Sequence, residues 1–130
     1  MTRRIIYEKA IKLLNESSTL SLSIVDEEGY PQIYPMEKVM SVNLDRVIFI
    51  TKKDSNKVRL LNISNKCCVE VHKEDDMVCL KGNIEIQEDD DQKRKVLPRN
   101  YIKRLEGSGI HNYCVLIFHA LKSDLYMMGN

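Results

Sequence analysis

Met77-Val78-Cys79-Leu80-Lys81-Gly82-Asn83-Ile84-Glu85-Ile86-Gln87 carries the cleanest alternation in the chain. Val78, Leu80, Gly82, Ile84 and Ile86 fall on one side, and Cys79, Lys81, Asn83, Glu85 and Gln87 on the other. Successive side chains of a strand point to opposite faces, so a period of two predicts one long strand with one buried face. Gly82 interrupts that face at its middle, where a bulge or bend would let a sheet curl.

The same pattern extends upstream. Lys66 to His72 reads as the preceding strand, with Cys67, Val69 and Val71 opposed to Cys68, Glu70 and His72, and Lys73-Glu74-Asp75-Asp76 as a polar hairpin turn. Val47 to Thr51 predicts another strand, followed by a short helix over residues 55–64. Tyr30 to about Met40 predicts a strand whose prolines, Pro31 and Pro35, cannot donate to a ladder, so its first half is expected at an edge or a bulge. Leu20, Leu22 and Ile24 alternate with serines ahead of an Asp26-Glu27-Glu28-Gly29 turn, and Asn43-Leu44-Asp45 makes the next turn. Ile6, Ala10, Leu13 and Leu14 recur at helical spacing over residues 3–15.

Downstream, Glu88-Asp89-Asp90-Asp91 precedes Lys93-Arg94-Lys95. Acids first and bases last is the order a helix dipole prefers, which predicts a solvated helix start and not a metal-binding acidic cluster. Pro98 interrupts it, a second short helix runs from Asn100 to Leu105, and Gly107-Ser108-Gly109 reads as a flexible loop. Tyr113 to Leu121 is the last strand, continued loosely through Leu125-Tyr126-Met127. Strands joined by tight turns are antiparallel. Six of them with long, bent members favour a barrel that removes open edges. The expected fold is mainly β with peripheral α: a six-stranded antiparallel barrel in one domain, residues 1–130.

Composition narrows the function. Apolar residues make up 43% and charged residues 30%, with a net charge of +1. The charges are interleaved, which gives no reason to expect nucleic-acid or membrane-surface binding. No apolar run has the length of a bilayer span, and Arg3-Arg4 opens an amphipathic helix and not a signal peptide, so a cytoplasmic protein is expected. The four cysteines lack a C-x-x-C pair and His72, His111 and His119 lack matching spacing, so reduced strand cysteines are expected and no metal site. Nucleotide-binding, hydrolase and zinc-protease motifs are absent, and no protein-borne nucleophile is identified. An enzyme of this sequence would rely on a cofactor for its chemistry, and its catalytic residues are unknown.

One segment invites a ligand. Thr51-Lys52-Lys53-Asp54-Ser55-Asn56-Lys57 joins a strand end to a helix start. The first amides of a helix lack internal partners, and its positive end favours anions. Alone, these seven residues read more simply as a helix cap with solvated lysines. Thr51, Ser55, Asn56 and Lys57 nevertheless offer the hydroxyls, amide and ammonium that a phosphate needs.

The chain as a whole resembles the pyridoxamine-5′-phosphate-oxidase-like, FMN-binding split-barrel family, in its small, general-stress-protein-like branch. Leu20 to Pro31 is similar to the family's first hairpin, L-x-T-x-D-x-x-G-x-P. Tyr34-Pro35-Met36-Glu37-Lys38 is similar to the second strand, along which one flavin edge lies. Phe49-Ile50-Thr51 with Ser55-Asn56-Lys57-Val58 resembles the T-x-x-x-S-x-K phosphate segment, Leu80 to Ile86 an L-x-G-x-A-x-I strand, and Tyr113 to Phe118 with Leu125-Tyr126 the closing strand.

The resemblance implies FMN as cofactor, with Thr51, Ser55, Asn56 and Lys57 at its phosphate. It places Pro35, Met36 and Ile50 along the ring, main-chain groups of Glu37 and Lys38 at the ring's polar edge, and Tyr34 beside them, although packing is the simpler role for Tyr34. It implies a homodimer with a flavin at the subunit interface and an oxidoreductase acting on an unknown small molecule with an unknown electron donor. The alternative is a non-catalytic split-barrel module that binds flavin or another small ligand in a sensor or stress-response role. Asn56 stands where family members often have Arg, there is no Trp, and the C-terminal Arg-x-His-like motif of true pyridoxamine phosphate oxidases is missing, which argues against vitamin B6 oxidation.

Overall fold

The computed structural model describes residues 2–107 and 109–128. Ser108 of the expected flexible loop and the terminal Gly129-Asn130 lie outside the described residues. The elements are α1 (Arg3–Glu16), β1 (Thr19–Val25), β2 (Pro31–Val42), β3 (Arg46–Lys52), α2 (Asn56–Ile63), β4 (Lys66–Lys73), β5 (Asp76–Gln87), α3 (Asp90–Val96), α4 (Arg99–Glu106), a 3-10 turn (Ile110–Asn112) and β6 (Tyr113–Tyr126). The six strands close into an antiparallel barrel in the order β1-β2-β3-β6-β5-β4. The expected fold class and order of elements are observed.

Alternation sets the barrel interior. Leu20, Leu22 and Ile24 of β1, Val47 and Phe49 of β3, Cys67, Val69 and Val71 of β4, and Val78, Leu80 and Ile84 of β5 are buried in one cluster. Ala10, Leu13 and Leu14 of α1 and Val58, Leu60 and Leu61 of α2 complete it. A second apolar cluster lies outside the barrel, where Ile48, Val115 and Ile117 meet Leu97, Leu105 and Ile110 from the helical insert and the turn after it. Val47-Ile48-Phe49-Ile50 and Cys114 to Phe118 are continuous apolar runs because both faces of those strands are covered.

Three local expectations need correction. The irregularity beside Gly82 is real, but the extra residue is on the partner: Lys81 pairs with Lys122 and Gly82 with Ala120, leaving Leu121 over. Glycine is required at 82 because a Cβ there would lie 2.0 Å from the His119 carbonyl oxygen. β6 does not end near Leu121; it runs unbroken to Tyr126 because β5 is long enough to pair with all of it. Lys93 is not solvated. It is 0% exposed, with Nζ 2.8 Å from Asp90 Oδ1 and 3.1 Å from the Ile110 carbonyl. A buried ammonium needs such partners, and these two exist because α3 lies against the 3-10 turn.

The prolines of β2 act as expected. Residues 31–37 pair with β1, and the ladder to β3 begins only at Lys38, opposite Phe49, with a bulge at Val39. Among the described residues, the other edge of 31–37 has no strand partner. The β2–β3 seam is therefore open at this end, and the open end faces the start of α2.

Candidate functional site

β3 ends at Lys52, and the chain turns through Lys53-Asp54 into α2. Ser55 is the N-cap, with extended backbone, and its Oγ accepts from the Val58 amide at 3.4 Å. The Arg59 amide bonds to the Ser55 carbonyl. The amides of Asn56 and Lys57 have no hydrogen-bond partner among the described residues and lie at the positive end of the helix. Ser55 caps as the simpler reading requires, yet its hydroxyl proton remains available to a ligand.

Side chains converge on Tyr34 from β2. Asn56 Nδ2 donates to the Tyr34 hydroxyl at 3.3 Å, and Lys57 Nζ stands 5.2 Å from the Tyr34 ring centroid, a cation–π distance. Tyr34 also packs against the barrel interior, so the packing role expected of it is present together with a place at the site. Asn56 Oδ1 accepts from Arg59 Nε at 3.0 Å and Nη2 at 2.7 Å. Arg59 Nη2 is 2.9 Å from Glu27 Oε1 on the β1–β2 turn. Lys53, Ser55, Asn56, Arg59 and Asn62 line a polar groove of about 500 Å³ along α2.

The remaining expected residues divide by strand parity. Tyr34 and Met36 lie opposite Leu22 and Leu20 and turn inward; Met36 is buried in the core and is not positioned to line an external wall. Pro35 and Glu37 are on the outer face and exposed. Ile50 is also on the outer face, packed against the second cluster. Thr51 is 9% exposed, which leaves its hydroxyl little access to a ligand. Lys38 donates from its amide to the Ser18 carbonyl at 2.8 Å, and its own carbonyl accepts from Tyr101 Oη at 3.4 Å. Its ammonium binds the carbonyls of Leu14 and Asn15, the latter at 3.0 Å, and so closes the end of α1. Lys38 is a brace between α1 and β2, with its main-chain groups already engaged.

Glu37 holds α4. Its Oε1 and Oε2 accept from the two terminal nitrogens of Arg104 at 3.2 and 3.1 Å, and Oε1 also accepts from Tyr101 Oη at 3.2 Å. Hydrogen bonding from Arg104 holds the Glu37 carboxyl below the usual glutamate range. The roles of Arg59, Glu27, Tyr101 and Arg104 escaped the sequence reading. Arg59 carried a weak signal, since helical side chains lean toward the N-terminus and a residue one turn in reaches back to it. The other three arise from contacts between elements.

The thiols are not part of this site. Burial pushes Cys67 up to about 12 and Cys114 up to about 11, which makes them poor nucleophiles. Among the described residues no group of three or more His, Cys, Asp or Glu could hold a metal ion, and no helix is long and apolar enough to cross a membrane.

Comparison with known proteins gives a consistent set. The pyridoxamine 5′-phosphate oxidase family model matches residues 6–124. A Clostridium acetobutylicum protein related to general stress protein 26 of B. subtilis has a similar structure, with TM-score 0.82, 23% identity, and coverage of 98% of this chain and 92% of that one. General stress protein 26 from Bacillus anthracis gives TM-score 0.73 at 19% identity over 97% and 95% of the two chains. An F420 reductase gives 0.67 at 15% identity over 87% and 94%. At these identities the likeness shows the fold. No curated protein matches the sequence.

Proposed function

The chain belongs to the pyridoxamine 5′-phosphate oxidase family, and on that premise we propose that it is an FMN-binding flavoprotein acting as an oxidoreductase on a small molecule. The observation that carries the reading is the open start of α2 beside the open β2–β3 seam. Two amides without a partner among the described residues, the Ser55 hydroxyl and the Lys57 ammonium lie within one helical turn there. That donor set fits a dianionic phosphate monoester, which wants charge-assisted and main-chain donors together.

Within this reading Lys57 supplies the point charge and Tyr34 fixes its direction. Pro35 and Ile50 offer apolar surface on the outer face, where a flat ring would lie. Met36 supports that strand from inside. Arg104 and Tyr101 hold Glu37 and so fix the β2 backbone along which the ring's polar edge would run. The flavin supplies hydride or electron transfer when bound. A second copy of the chain would cover the ring and keep water out, making a homodimer with two equivalent sites.

The visible spectrum of the purified protein and a titration of FMN fluorescence test the reading. A yellow protein, or quenching of added FMN, is expected. Lys57→Ala should weaken FMN by roughly 1.5–3 kcal/mol, about 10- to 150-fold. Unchanged affinity removes Lys57 from the site. A colourless protein that leaves FMN fluorescence untouched overturns the flavin reading and favours a module for another small ligand.

A further inference from the structure

We propose that Arg59 is a second phosphate-binding cation, that Asn56 positions it, and that Glu27 competes with the phosphate for it. The proposal rests on the flavin reading above and assigns residues that the reading leaves without a role.

Asn56 was expected to donate to the phosphate itself. Its amide is instead engaged at both ends, by the Tyr34 hydroxyl and by Arg59. Only the orientation with Oδ1 toward the guanidinium satisfies both, since Arg59 has donors alone. Asn56 is therefore an aiming device. It draws the Arg59 guanidinium back along α2 to the cap, so the charge missing at position 56 arrives from one turn further into the helix. Arg59, Asn56 and Ser55 line the same groove, where Lys53 is the second cation and Asp54 and Glu88 are the acids of its wall.

Glu27 is held ready by its turn. Asp26 Oδ1 accepts from the amides of Glu28 and Tyr30, both at 2.9 Å, and its Oδ2 accepts from Gln32 at 3.0 Å. From this braced turn Glu27 reaches Arg59. The two side chains are 57% and 51% exposed, and ion pairs so open to water contribute little. Exchanging the carboxylate for a dianion that accepts two parallel hydrogen bonds thus costs little. Arg59 Nη1 has no partner among the described residues, which leaves the guanidinium a further donor. The arrangement favours a phosphorylated ligand over its unphosphorylated form.

The test measures Kd for FMN and for riboflavin by fluorescence quenching in the wild type, Arg59→Gln and Glu27→Gln, at several salt concentrations. Arg59→Gln should weaken FMN about tenfold or more and flatten its salt dependence. Glu27→Gln should tighten FMN by about two- to fivefold. Riboflavin affinity should not change in either variant, and Arg59→Lys should restore part of the loss. Wild-type protein that binds no FMN overturns the flavin reading itself. Wild-type binding that survives Arg59→Gln, or an equal loss for riboflavin, overturns the role given to Arg59 alone. A Glu27→Gln variant that fails to gain affinity overturns the competition.

Discussion

A single methyl group tests the tightest point of the barrel. Gly82 lies so close to β6 that a Cβ would fall 2.0 Å from the His119 carbonyl oxygen. That neighbour is backbone held by β3 and β5 and cannot rotate away. Gly82→Ala is expected to destabilise the fold by about 1–3 kcal/mol, as overpacking does, read as a lower urea midpoint at unchanged slope. Gly82 was legible as special because it broke an otherwise regular apolar face. The reason was not, because it lies in β6, some forty residues downstream. Asn56 shows the same limit. Its place beside a helix cap could be read from Ser55 and Lys57, but its two partners come from β2 and from the next helical turn.

At the scale of elements, the helical insert is tied down by one buried charge. Lys93 links α3 to the turn before β6 through Asp90 and the Ile110 carbonyl. Lys93→Ala should cost about 2–4 kcal/mol, since it leaves a void and strips a buried carbonyl of its partner. Lys93→Met keeps most of the volume, and Asp90 stays accessible to water, so the loss should be clearly smaller. Equal losses in equilibrium urea unfolding would show that the charge matters and the volume does not. The elements themselves were largely legible. Period-two alternation, continuous apolar runs and helical spacing located the strands and most of the helices, and the order of acids before bases located α3, while β6 runs beyond its expected end. The burial of Lys93 was invisible, since a lysine inside a run of acids and bases looks the same whether the helix stands in water or against a sheet. Parity likewise separated Met36 from Pro35 only once the β1–β2 register was known.

The whole molecule presents an outer face that is not finished. Val25, Ile33 and Leu121 are 53%, 69% and 75% exposed. Val25, Pro31, Cys68 and Leu121 line a groove of about 510 Å³ beside Gly82. Exposed apolar side chains around such a groove are a feature of contact sites, and they support the proposed homodimer. Sedimentation equilibrium should give twice the chain mass, and Ile33→Asp with Leu121→Asp should shift it toward the monomer and weaken FMN. A wild type that sediments as a monomer across micromolar concentrations would remove the dimer from the reading. Sequence patterning reached the barrel but not this face, because scattered apolar residues on several strands form a patch only after the sheet curls.

The open β2–β3 seam has a consequence for how the chain reaches this state. Glu27, Tyr34, Asn56, Lys57 and Arg59 all lie within residues 27–59, joined by short turns and one short helix. The rungs that shut the barrel, β1 to β4 and β3 to β6, link distant parts of the chain. Contacts near in sequence form cheaply, whereas distant ones carry the loop-closure entropy that slows folding. The proposed ligand-binding corner is therefore expected to form ahead of the closing rungs. Because the ladder never zips β2 to β3 past Lys38, late closure leaves that corner open. Changes of charge around the proposed phosphate end are then expected to leave the rate of the closing step unchanged.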